Sequence, residues 1–439
     1  MKRATFFFFL STILIASCGA YTPDPAALRV TQVSELAQLA PGWDGEIVAR
    51  VDQSYAGWDV EIGDADGDGK PEILTGSAPG AQLNLYRKRE TGWESRQLLD
   101  HAASSGPGMV LGVRIVDLDS DGKPEVLAGT GAHDESTAWL HVLHTDGETA
   151  TDVISTRAPQ NTSAYTHGLG TADLDGDGVL EIISAYCGHG EVIRYDVSPG
   201  ATGIQSRKVL QLSGSGEDAL IADVDGDGRK ELILSNGFRE DAARVEIHDF
   251  DPLTGDPVAT PRVVLSGYDG HAAFYASLAV GDLDGDGRGE LIVAWKAEQD
   301  VNRATLIAYH VSGTTAAVAY VLTHEDQDLD LGYFEKMMAV ADIDGDGKQE
   351  LILSTRGDGS TEGIASNHLG HVYSYQVTAT GQVRREQIVD FNQDLVESSW
   401  LAVGDADGEG KPELVLATGK GDVTEPGISW VLALRKTAR

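Results

Sequence analysis

A nine-residue acidic motif occurs seven times in this 439-residue chain, and no other feature limits the possible folds as strongly. The copies begin at Asp64, Asp117, Asp173, Asp223, Asp282, Asp342 and Asp405, with 50 to 63 residues between successive starts. Asp stands first and third, an acid fifth, Gly sixth and Glu ninth in each copy. A short apolar run precedes each motif, such as Leu278 to Gly281, and another follows it, such as Glu231 to Ser235. Runs of that length bounded by turn residues suit buried strands. Two further strand-like stretches separate one motif from the next, for example Gly370 to Tyr375 and Glu386 to Asp390. Four strands in about that many residues form one blade of a β-propeller.

The ends of the chain support a closed ring. After the last motif there are two strand-like stretches and then the chain stops, one strand short of a blade. Before the first motif stands one orphan stretch, Gly45 to Val51. If that stretch completes the last blade, no sheet edge is left open. The expected fold class is therefore all-β, a seven-bladed β-propeller over residues 45–436, closed by its N-terminal strand.

The motif is a set of hard oxygen donors on a tight loop, which suits calcium, about one ion per blade. The side-chain ligands expected are Asp64, Asp66, Asp68 and Glu72; Asp117, Asp119, Asp121 and Glu125; Asp173, Asp175, Asp177 and Glu181; and Asp223, Asp225, Asp227 and Glu231. The last three loops offer Asp282, Asp284, Asp286 and Glu290; Asp342, Asp344, Asp346 and Glu350; and Asp405, Asp407, Glu409 and Glu413. The backbone carbonyl of position seven completes each set, from Lys70, Lys123, Val179, Arg229, Arg288, Lys348 and Lys411. Two copies depart from the pattern: Ser120 replaces Gly at position four, with little consequence expected, and Glu409 replaces Asp at position five, which bears on that site's affinity. Glu at position nine rather than twelve, between strands rather than helices, separates the motif from an EF-hand.

These seven copies resemble the FG-GAP/VCBS repeats, whose calcium loops also occur in integrin α-subunit propellers. The resemblance extends from Gly45 to Leu434 and implies a calcium-binding propeller that works at a cell surface.

The first residues look like an export signal. Lys2 and Arg3 precede an apolar run, Phe6 to Ile15, that is too short to span a bilayer. Small residues then lead into Cys18, in the manner of a bacterial lipobox. The expected organisation is a lipoprotein signal peptide over residues 1–17, lipidation at Cys18 and a tether over residues 18–44. The localisation expected is the bacterial cell envelope, at the outer membrane because Gly19 rather than Asp follows the cysteine. Cys187 is the only other cysteine, so lipidation would leave no intrachain disulfide, and metal ions are the expected staple.

The chain carries 69 acidic and 33 basic residues, a formal charge of −36. That field repels nucleic acid and anionic lipid, so contact with a membrane is expected only through the anchor, and the chain is expected to be a monomer. A ligand is expected on the face opposite the acidic loops. Residues just before the first strand of several blades are the candidates: Trp58, Asp59, His167, Glu217, Asp218, Tyr275, Lys336 and Trp400. Mixed aromatic and charged groups there suit a carbohydrate or an extracellular protein. No Gly-x-Ser-x-Gly elbow, phosphate loop or His-Glu-x-x-His appears, and no catalytic residue is assigned. A binding or adhesion propeller is the leading reading. A polysaccharide lyase on the same scaffold and a structural module of a surface assembly are its alternatives.

Overall fold

In the computed structural model, residues 26–102, 108–131, 138–157, 165–187, 190–198, 200, 203–237, 243–298, 301–326, 329, 337–356, 370–421 and 426–437 are described. Seven antiparallel blades of four strands are arranged in a ring, with almost no helix. The chain enters through a short α1 (Val33–Leu36), β1 (Ala37–Leu39) and β2 (Trp43–Val51). Blade 1 is then β3 (Val60–Gly63), β4 (Glu72–Gly76), β5 (Gln82–Arg89) and β6 (Gly92–Asp100). Blade 2 is β7 (Met109–Val116), β8 (Glu125–Gly131), β9 (Trp139–Thr145) and β10 (Ala150–Arg157). Blade 3 is β11 (Tyr165–Ala172), β12 (Glu181–Cys187), β13 (Glu191–Val197) and β14 (Ile204–Gln211). Blade 4 is β15 (Ser215–Ala222), β16 (Glu231–Gly237), β17 (Arg244–Asp249) and β18 (Val263–Leu265). Blade 5 is β19 (Tyr275–Gly281), β20 (Glu290–Glu298), β21 (Val301–Ser312) and β22 (Thr315–Asp326). Blade 6 is β23 (Met338–Ala341), β24 (Glu350–Ser354), β25 (His371–Val377) and β26 (Val383–Phe391). Blade 7 has β27 (Ser398–Gly404), β28 (Glu413–Gly419) and β29 (Ser429–Lys436), and β2 is its fourth strand.

The N-terminal strand closes the ring as the sequence requires. β2 runs antiparallel to β29 from Trp43↔Lys436 to Val51↔Ser429. This joins the first and last strands of the ring without a covalent link and gives the last blade its fourth strand, with β2 outermost.

The second strand of each blade lies between both neighbouring blades, so each of its faces is covered. β4, β8, β16, β24 and β28 are buried along their whole length. This accounts for continuous apolar runs such as Leu232-Ile233-Leu234, where a half-exposed strand would alternate. Fourth strands such as β14 and β26 carry runs of exposed residues. The core is divided among the seams between blades. Ile183, Val192, Leu232 and Leu234 fill the seam between blades 3 and 4, for instance. Val48, Trp58, Trp400, Val415 and Val431 fill the closing seam between blades 7 and 1.

The stretch expected as a tether is not one from residue 26 onward. β1 pairs with β26, from Ala37↔Phe391 to Leu39↔Val389, and adds a fifth strand to blade 6. Val33, Leu36, Ala37 and Trp43 are buried in the seam between blades 6 and 7. The backbone N–H of Asn392 donates to the Leu36 carbonyl at 2.7 Å. The physical reason is that the outermost strand of blade 6 offers unpaired backbone groups, and the apolar residues beside β1 cover the seam below it. Residues 1–25, with Cys18, lie outside the described residues.

Candidate metal centres

Each acidic motif connects the first strand of a blade to the second, and each connection is eight residues long. Hydrogen bonds from the loop backbone to its aspartates shape the loops. The N–H of position six donates to the Asp at position one in all seven, from Gly69 to Asp64 at 2.9 Å through Gly410 to Asp405 at 2.9 Å. The N–H of position five donates to the Asp at position three, also in all seven. In six loops the N–H of position seven donates to the Asp at position five at 2.8–2.9 Å. Glu409 is one methylene longer, and the seventh loop lacks that bond. Positions four and six are both left-handed, as at Gly67 (φ 74°) and Gly69 (φ 83°). Glycine adopts this without cost. Ser120 is held at φ 58°, so its place in the loop is more demanding than the sequence suggests. Its hydroxyl donates to the Gly178 carbonyl of the next loop at 3.0 Å.

The glutamate at position nine begins the second strand and is buried in every blade. Glu72, Glu125, Glu181, Glu231, Glu290, Glu350 and Glu413 are each at most 4% exposed. One carboxylate oxygen of each accepts the N–H of position two, at 2.7 to 3.3 Å. The other faces the aspartates. Donor oxygens of Asp64, Asp66 and Glu72 lie within 4.8 Å of one another, as do those of Asp117, Asp119 and Glu125 and of Asp173, Asp175 and Glu181. Burial, with the neighbouring aspartates adding to it, pushes Glu72, Glu231, Glu290 and Glu350 up to about 7. Burial also raises Glu125, Glu181 and Glu413. Asp64 Oδ1, Glu125 Oε1 and Glu290 Oε1 are buried without a hydrogen-bond partner. A buried carboxylate oxygen beside like charges costs several kcal/mol, on the order of a lost ion pair, unless a cation balances it. The donor set of aspartates, a glutamate and a carbonyl therefore fits a hard divalent cation such as calcium.

Side chains on, or just before, the third or fourth strand close the outer side of six of the centres. The Arg194 guanidinium stands 3.1 Å from Asp175 and 3.6 Å from Glu181. Arg262 stands 2.7 Å from Asp225 and 3.5 Å from Glu231. Arg87 is 3.7 Å from Asp66, and Gln376 donates to Glu350 at 3.1 Å. His144 and His310 hold the equivalent places in blades 2 and 5. The sequence reading missed these groups because they come from a strand 13 to 31 residues after the motif's glutamate. The available signal was a polar residue at the end of an apolar run, as in Leu306-Ile307-Ala308-Tyr309-His310.

The residues expected to meet a ligand are differently placed. Trp58, Asp59, Glu217, Asp218, Tyr275 and Trp400 are each at most 6% exposed. Trp58 and Trp400 pack on each other and on Tyr55, with ring centroids 5.0 to 5.6 Å apart. Asp59 and Asp218 bind one blade to the next: Asp59 accepts from Val113 N–H at 2.7 Å and Arg114 at 3.1 Å, and Asp218 accepts from Leu278 N–H at 3.3 Å. For Glu217, Asp218, Tyr275 and Trp400 the cause is strand length. β15 and β27 start well before the apolar core of the first strand, at Ser215 and Ser398, so residues read as entry loops lie inside the sheet. His167 lies on β11 opposite Ala185, and Lys336 lies outside the described residues.

The repeat and the ring together define a class, a seven-bladed β-propeller with one acidic loop in every blade. The FG-GAP-like repeat family matches residues 64–128, 117–184 and 173–234, which contain the first four loops. The remaining three loops repeat the same geometry. No curated protein matches the chain. Among solved structures, it is similar to that of the V. cholerae biofilm matrix protein Bap1, with a TM-score of 0.46 and 12% identity over 92% of this chain and 91% of that one. So distant a likeness carries no argument about function.

Proposed function

We propose that this chain is a calcium-clamped recognition propeller, exported and anchored at the cell envelope by the lipidated Cys18, which captures a carbohydrate or an extracellular protein. The contrast between its two faces carries the reading. All seven acidic connections have eight residues, while connections from second to third strand, on the opposite face, range from 2 to 16. Uniform length marks a structural clamp, and variable loops on a rigid frame are where recognition resides. Seven divalent ions would take the formal charge from −36 to −22, easing the self-repulsion of the ring. The calcium half of the reading is tested by calorimetric titration of the metal-stripped chain. Six or seven calcium ions per chain and a large fall in melting temperature with EDTA are expected; an unchanged melt sinks the clamp. A glycan array probed with calcium and again with EDTA tests the recognition half. Calcium-dependent retention of one sugar class is expected, and the absence of any sugar binding would shift the ligand to protein.

A further inference from the structure

An imidazole stands beside the glutamate in two of the seven centres, at His144 in blade 2 and at His310 in blade 5. In blade 5, donor atoms of Asp284, Glu290 and His310 lie within 4.8 Å of one another, so a ring nitrogen joins two carboxylates. His310 stands across the sheet from Glu290, because Leu291 pairs with Tyr309 in the register of β20 and β21. Its Nδ1 is 3.3 Å from Glu290 Oε1. That oxygen is fully buried yet has no hydrogen-bond partner, so the ring N–H is not aligned on it. Two donors on a tetrahedral ion, each about 2.0–2.1 Å from the metal, stand roughly 3.3 Å apart, which is the separation seen here. Asp284 is fixed from behind by the Tyr320 hydroxyl, which donates to Oδ2 at 2.8 Å. Such outer contacts orient a ligating carboxylate.

We propose that blade 5 binds a first-row transition-metal ion, zinc-like, through Asp284, Glu290 and His310, in place of calcium. Calcium takes oxygen donors almost exclusively, while imidazole with carboxylate suits zinc and its neighbours. The centres in blades 3 and 4 differ, since guanidinium groups, which donate but cannot ligate, stand beside their glutamates. The site rests on the loop geometry of the calcium reading but not on calcium binding anywhere else.

The test uses the full chain carrying His144→Gln, because that imidazole lies 3.0 Å from Glu125 and could contribute a second signal. The calcium-loaded protein is titrated with Co²⁺ and, separately, Zn²⁺. One tight ion per chain with Co²⁺ absorption in the visible is expected, and adding His310→Gln should weaken it by about tenfold or more. Equal affinity with and without His310 overturns the proposal. X-ray absorption of the zinc-loaded protein does not depend on a variant folding: imidazole scattering with a zinc–nitrogen distance near 2.0–2.1 Å is expected, and its absence overturns the site. A chain that binds zinc in this way but takes up no calcium supports this site while refuting the calcium clamp, so the two failures are distinguishable.

Discussion

The glutamates at position nine give the ion-free protein a pH-dependent stability. A carboxyl raised in the folded state from 4.5 to about 7, as at Glu72, Glu231 and Glu350, favours the folded form while it is protonated. The ion-free protein therefore holds more protons folded than unfolded, and its stability falls as pH rises from about 4.5 to 7. Under the proposed clamp, calcium would bind the ionised form and reverse the sign. Thermal melts in EDTA should give a lower midpoint at pH 8 than at pH 5.5, and melts in excess calcium should not. Glu72→Gln should reduce the loss in EDTA and remove about one calcium ion per chain. A Glu72→Gln protein that keeps the full calcium stoichiometry would show that Glu72 is not a ligand. At this scale the loop chemistry was legible in the sequence, since ligand-type residues recur at fixed spacing. The burial that sharpens it was not, because it comes from neighbouring blades. Ser120 shows the same gap: its identity is plain, but the left-handed backbone that position four demands appears only in three dimensions.

Among the elements, the N-terminal segment departs furthest from what the sequence suggests. The stretch Val33-Ser34-Glu35-Leu36 is too short to read as a helix from periodicity, and its partner strand is more than 340 residues away. Only the folded ring brings β26 to it. The capping box, in which Glu35 accepts the Gln32 N–H at 2.9 Å, fixes the turn that presents Leu36 to the seam. Leu36 is fully buried there. Leu36→Ala should therefore cost about 3 kcal/mol, in the range for deleting a buried leucine side chain, as measured by denaturant unfolding. A change indistinguishable from wild type would return this segment to the role of a free tether. Six of the eight candidate ligand residues lie buried in the ring, for a related reason. Trp58 and Trp400 have the composition of a binding site, but aromatic side chains serve equally as seam filler, and composition alone cannot separate the two roles.

For the molecule as a whole, closure is the decisive interaction. Every seam buries apolar side chains from two adjacent blades, and the seam between blades 7 and 1 includes Val48 and Val51 of β2. Without β2, the backbone groups of β29 from Ser429 to Lys436 would lose their ladder partners, and the long, largely buried β29 would become the edge of blade 7. The requirement was visible in the sequence as an arithmetic mismatch, one orphan strand at the start and one missing at the end, which is why the ring was the most legible feature of this chain. The ring also separates connectivity from geometry. Deleting residues 26–51 should abolish a cooperative melt or lead to association through the exposed edge. Moving the β2 sequence to follow Lys436 through a flexible linker should restore a cooperative, monomeric fold, because the strand reaches the same partner by a local connection. Light scattering with thermal unfolding reads both outcomes. A deletion that melts as a cooperative monomer would mean that the seam, not the strand, holds the ring closed, and a permutant that fails to fold would place the role of β2 in the order of folding rather than in the finished structure.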